Sequence, residues 1–71
     1  MQMTPNDIET IKPALLSARR AAGFHPQHLL SVREMWDVFH RAWGNGSLNG
    51  NELYKRYNDQ NIETAMKKIF K

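Results

Sequence analysis

The stretch Leu30-Ser31-Val32-Arg33-Glu34-Met35 constrains the fold more than any other in this chain. Ser31 followed three residues later by Glu34 is a capping box, in which each side chain accepts the other residue's otherwise unpaired backbone N–H. Leu30 and Met35 flank it at the two positions of a hydrophobic staple. A helix therefore starts at Ser31, and it is amphipathic. Val32, Met35, Trp36, Phe39, Ala42 and Trp43 recur on one face, and Arg33, Asp37, His40 and Arg41 take the other. Gly44 ends it.

The rest of the chain repeats this helical grammar. Thr4 before Pro5 pairs a capping hydroxyl with a proline at the first helical position, where the missing N–H costs no hydrogen bond. Asp7 then sits near the positive end of the helix dipole. Ile8, Ile11, Leu15, Ala18 and Ala22 make one apolar face, and Gly23 closes the segment. Pro13 cannot donate to the carbonyl of Glu9, which predicts a kink or break near Thr10 to Lys12. A short third helix is expected from about Gly50 to Tyr57, with Leu53, Tyr54 and Tyr57 inward. The turn residues of YNDQN separate it from a last helix, from about Gln60 onward, whose stripe is Ile62, Ala65, Met66, Ile69 and Phe70. No alternating pattern of strand length occurs. The expectation is an all-α single domain over residues 1–71, a compact bundle of about four short helices with no sheet.

Size sets the energetic terms. A chain of 71 residues buries only about 60% of its unfolded surface. It has no cysteine, so neither a disulfide nor a thiolate zinc site adds stability. Self-association into a homodimer is a second source of burial. No apolar run approaches the roughly 18 residues of a membrane span, and the polar, acidic N-terminus is unlike a signal peptide. The expected location is the cytoplasm, with no membrane partner. A formal charge of +3 permits contact with nucleic acid without demanding it.

WGNGSLNGNEL, Trp43 to Leu53, raises the question of a metal. Residues 41–53 resemble a degenerate EF-hand loop, with Gly46 at its sixth position, Leu48 at its eighth and Glu52 at its twelfth. Calcium needs oxygen ligands at the first and third positions, and those are Arg41 and Trp43. A turn accounts for the residues better: Gly44 caps one helix, Asn45-Gly46 turns, and Ser47 or Asn49 caps the next. His25 and His28 stand three apart around Pro26 with no cysteine or carboxylate pair beside them, so no metal centre is expected. Ser17, Ser31 and Ser47 are explained by helix position or capping, and there is no phosphate-cradling glycine loop. A non-enzymatic protein without a cofactor is expected.

The cations cluster. Arg19 and Arg20 lie near the end of the first helix, Lys55 and Arg56 on the third, and Lys67, Lys68 and Lys71 on the last. The last helix also turns Gln60, Asn61, Glu63 and Thr64 outward. Gln, Asn and Thr bond base edges and Lys neutralises phosphates, whereas Glu63 opposes them. NELYKRYNDQNIETAMKKIF, residues 51–70, resembles a helix-turn-helix unit, with Leu53 and Tyr57 in its first helix and Ile62, Met66 and Ile69 in its second. LLSARRAAGFHPQHL, residues 15–29, is similar to the opening of phage-repressor-like domains. The resemblance implies a small accessory or regulatory protein that contacts DNA or RNA through its C-terminal helix. Lys55, Arg56, Lys67, Lys68 and Lys71 would hold phosphates, and Gln60, Asn61 and Thr64 would read bases. Arg19 and Arg20 would add a second backbone contact. The alternative is a protein-binding adaptor or inhibitor, of the size found among phage- and plasmid-borne proteins. It would dock on a larger machine through Trp36, Trp43 and Tyr54.

Overall fold

Thr4 opens the first helix as its chemistry predicts, its hydroxyl accepting from the Asp7 N–H at 3.2 Å. In the computed structural model, which describes residues 1–71, helix α1 then runs from Pro5 to Ala21 and Gly23 follows with φ +84°. Pro13 does not break it. Ile11, Leu15 and Ala18 are buried on both sides of the proline, whereas Pro13 itself is exposed. Packing along one face thus holds the helix through the single hydrogen bond that Pro13 withholds.

Helix α2, Val32–Gly44, starts with both halves of the capping box in place. Ser31 Oγ accepts from the Glu34 N–H at 3.1 Å, and Glu34 Oε1 accepts from the Ser31 N–H at 2.8 Å. Leu30 and Met35 are both buried. The inward stripe is Met35, Val38, Phe39 and Ala42. Val38 joins it unannounced, and Val32 leaves it, 42% exposed in the first turn where the stripe runs out past the core.

Helix α3 spans only Gly50–Tyr54, three residues short of the expected end at Tyr57. Past Tyr54 the N–H groups of Arg56 and Tyr57 both donate to the carbonyl of Leu53, at 3.0 and 2.8 Å, and the chain turns. Tyr54 is consequently exposed rather than inward. Helix α4, Asp59–Ile69, follows a second reciprocal cap, in which Asn58 and Asn61 each accept the other's backbone N–H. Ile62, Ala65, Met66 and Phe70 are buried as its spacing predicts.

Helices α1, α2 and α4 pack pairwise. The largest fully enclosed side chains, Phe39, Leu15, Ile62, Met66 and Val38, all come from these three. Each contributes on the order of 1.5–3 kcal/mol by leaving water. The architecture is all-α, and no helix is long and apolar enough to cross a membrane.

Tyr57 fastens the chain's start to the turn before α4. Its hydroxyl accepts from the Thr4 N–H at 3.2 Å and donates to Asp7 Oδ2 at 2.6 Å, and Arg56 Nε lies 3.5 Å from the same oxygen. The Tyr57 hydroxyl, with the Arg56 charge behind it, holds the Asp7 carboxyl below its usual 3.8. A carboxyl depressed in the folded state stabilises it fully above the unfolded pKa, and that contribution is lost as the pH falls through the folded value. Stability should therefore decline on acidification below about pH 4, and Tyr57→Phe should flatten part of that decline. Urea midpoints measured from pH 6 to pH 2 check this; parallel curves for the two proteins would refute it.

Candidate nucleic-acid interface

The ten cationic and polar residues expected to touch nucleic acid divide into four groups. Lys55 and Arg56 lie before the N-terminal end of α4 and are paired. Lys55 Nζ is 3.1 Å from Glu52 Oε1, and Arg56 joins Asp7 and lies over the Tyr57 ring at 5.8 Å. The candidate base readers are drawn into the helix itself. Asn61 Oδ1 serves the cap, and Thr64 Oγ1 donates to the Gln60 carbonyl at 2.9 Å; Gln60 is exposed. Lys67 reaches Glu63 at 3.5 Å. Lys68 and Lys71 are exposed and have no carboxylate within 4.0 Å. The length of α4, about 16 Å, separates these from Lys55 and Arg56.

Arg19 and Arg20 face different surroundings. Arg19 is only 9% exposed. Its Nη2 donates to the carbonyls of His25, Pro26 and His28 at 3.2, 3.2 and 2.6 Å, and its guanidinium lies 5.8 Å from the centre of the Phe70 ring. It ties the connector between α1 and α2 over the end of α1, so its charge faces inward rather than toward a phosphate. Arg20 is exposed and unpaired, and with Lys71 it borders a hollow between the C-terminal ends of α1 and α4.

Arg41 belongs to the same region, although spacing placed it only on the polar face of its helix. Its Nη2 donates to the carbonyl of Ala21 at 3.2 Å, next to Arg20. No local pattern could reveal a contact across 20 residues. Lys68 immediately precedes Ile69, which also lines the hollow. Arg20 and Lys71 thus meet at one hollow where α1 and α4 end, with Arg41 at the Ala21 carbonyl and Lys68 exposed in the last turn of α4, and none of the four is ion-paired. The two negative helix ends favour cations there.

The three candidate docking aromatics form one group over buried Phe39. Ring centroids of Trp36, Trp43 and Tyr54 lie 5.3, 6.0 and 6.4 Å from that of Phe39. Two of their polar tips are engaged by α4: Trp36 Nε1 donates to Glu63 Oε1 at 3.1 Å and Tyr54 Oη donates to Asp59 Oδ1 at 2.5 Å. Partial desolvation of the ring's hydroxyl end, with the Asp59 hydrogen bond and charge, pushes the Tyr54 phenol up to about 12. Trp36 and Trp43 are half-buried and packed on the core. These aromatics close the seam between α2 and α4 and bring Asp59 and Glu63 to that side.

The loop after α2 is the turn expected. Asn45 Oδ1 accepts from the Ser47 N–H at 2.9 Å and from Ser47 Oγ, Gly46 has φ +81°, and Asn49 Oδ1 caps α3 through the Glu52 N–H. The connector histidines also have local partners. His28 Nε2 lies 3.1 Å from both Glu34 oxygens and its ring stacks on Phe24 at 5.5 Å, while His25 Nδ1 accepts from the Gln27 N–H. The Glu34 carboxyl is held below its usual range, first by the Ser31 N–H and then by His28. With the geometry in view, comparison adds no relative: no protein-family model, curated protein or solved structure matches the chain.

Proposed function

We propose that this protein is a small accessory factor that grips nucleic-acid phosphates, without reading sequence, through the basic end formed by Arg20, Arg41, Lys68 and Lys71. One observation carries the reading: Arg20 and Lys71 border one hollow, Arg41 reaches the Ala21 carbonyl beside Arg20, Lys68 is exposed in the last turn of α4, and none has a carboxylate partner, whereas Lys55 and Arg56 are paired before the start of α4. Unpaired cations displace the counterions condensed on a phosphate backbone, and that release supplies most of the affinity in sequence-independent binding. Base reading by α4 is the lesser part. Asn61 would have to leave its cap, and Asp59 and Glu63 occupy the first turns of the helix. Gln60 is the side chain left free to add a polar contact, and Lys67 can swing from its exposed pair with Glu63, a pair of a kind contributing about 0–1 kcal/mol.

Fluorescence anisotropy on a short labelled duplex, titrated across salt, tests this. Four phosphate contacts predict a log–log slope of about −3 to −4, at about −0.9 per phosphate. Lys68→Ala/Lys71→Ala should reduce its magnitude by about 2, while Lys55→Ala should leave it nearly unchanged. Absence of binding at about 50 mM salt, or an equal loss from Lys55→Ala, would overturn the proposal.

A further inference from the structure

The hollow bordered by Arg20 and Lys71 has a floor as well as a rim. It measures about 250 Å³, with Leu16, Phe24 and Ile69 as its apolar lining. All three are half-buried and pack on the core from outside, leaving apolar surface open to a partner. The polar groups around it are cationic: Arg19, Arg20 and Lys71. Arg19 forms the closed side of the hollow, its Nη2 engaged by the connector carbonyls, so Arg20 and Lys71 are the cations free to meet a partner.

A second hollow of about 220 Å³, between the start of α1 and the loop before α3, shows the contrast. There Asp7 pairs with Arg56, Asn49 Oδ1 accepts from the Glu52 N–H and the Glu52 carboxylate meets Lys55, so both acids and Arg56 already have partners. Only the hollow beside Arg20 combines an apolar floor with donors of one sign.

We infer that this hollow receives an acidic peptide segment of a partner protein. One large apolar side chain rests on Leu16, Phe24 and Ile69, and flanking carboxylates meet Arg20 and Lys71. The volume suits one side chain and falls below the 300–1,000 Å³ range typical of small-molecule sites. Charge complementarity selects an anionic partner, and the apolar floor, two of its three side chains aliphatic, selects a peptide over a nucleotide. A base stacks best on a free aromatic face and is read by donors and acceptors together. Here Phe24 is the one ring, and no side-chain acceptor lines the hollow to read a base edge. Because Arg20 and Lys71 also belong to the proposed phosphate grip, the peptide competes with nucleic acid and would release it. The peptide site stands on its own floor, so it survives even if the phosphate grip fails.

The test uses the full chain and a fluorescein-labelled peptide with one central leucine among aspartates and glutamates, read by anisotropy and by ¹⁵N amide shifts. Replacing the leucine by serine, or the acids by their amides, should weaken binding about tenfold or more. Leu16→Gln and Arg20→Gln should each weaken it similarly, with far-UV circular dichroism verifying the fold. The largest shifts should fall at Leu16, Arg20, Phe24 and Ile69. If Leu16→Gln does not fold, Lys71→Gln and the shift map decide instead. Equal binding of the serine peptide would overturn the inference, as would shifts centred outside the hollow. So would an unlabelled single-stranded oligonucleotide that produces the same Phe24 and Ile69 shifts where the peptide produces none.

Discussion

Gly50→Ala is expected to destabilise the fold by about 1–3 kcal/mol, the range for overpacking a filled site. Gly50 opens α3 and is buried, and a β-carbon there would lie 2.5 Å from both Cε2 and Cε3 of the Trp43 indole. Its φ is not in the left-handed region, so the obstacle is the ring and not the backbone. The ring has little freedom to yield: Phe39 stands 6.0 Å from it and Tyr54 5.9 Å. Nor can α3 move off, because Leu48 before it and Leu53 within it are both buried. At about 0.05–0.15 kcal/mol per residue, a domain of this size has few kcal/mol to lose. Gly44→Ala is the control. Nothing lies within 4 Å of its β-carbon position at the end of α2, so it should gain a few tenths to about 1 kcal/mol. Urea midpoints at constant m measure both, and near-UV circular dichroism follows the indole. Trp43→Leu should lessen the cost of Gly50→Ala, since residues in contact do not act additively. An unchanged midpoint and an unchanged indole signal in Gly50→Ala would show that the ring is not where the argument needs it.

What was legible in the sequence was decided within four residues. The Ser31–Glu34 box, the Thr4 cap and the Ile62–Phe70 stripe depend on neighbours one helical turn away, and each appears as read except that Ile69 is only half-buried. The end of α3 was not legible. Leu53 and Tyr57 have helical spacing, but Tyr57 answers to Thr4 and Asp7, 53 and 50 residues away. Pro13 misled for a related reason, since local chemistry argued for a break and burial of Ile11, Leu15 and Ala18 overrode it. For the basic site, the clusters were visible but their neutralisation was only half so. Glu52 with Lys55 and Glu63 with Lys67 are three- and four-residue pairs that spacing alone could have paired off. Arg56 with Asp7, and Arg41 at the Ala21 carbonyl, exist only once the chain has folded.

Arg19 and Arg20, indistinguishable as an Arg-Arg pair, should behave as opposites. Arg19 stands four residues after Leu15 and eight after Ile11, at the edge of the buried stripe of α1. Register alone does not bury it, because Lys12, one heptad earlier, is exposed. What buries Arg19 is the connector folded over this end and held by its Nη2. Arg19→Met keeps an apolar stem near Phe70 and deletes only the polar work. Hydrogen bonds to a charged group contribute about 1.5–3 kcal/mol each, and the three here share one nitrogen, so a loss of about 2–4 kcal/mol is expected. Amide exchange at Phe24 and His28, whose N–H groups bond Arg19 and His25 carbonyls, should quicken as the connector loosens. Arg20→Met should leave stability within about 0.5 kcal/mol, because the side chain is exposed and unpaired. It should instead weaken duplex binding and reduce the salt slope by about 1. The two variants therefore separate a fold residue from a contact residue at adjacent positions. If Arg19→Met kept its urea midpoint and lost duplex affinity as Arg20→Met does, the inward role of Arg19 would be refuted. The phosphate footprint would then have to include both arginines.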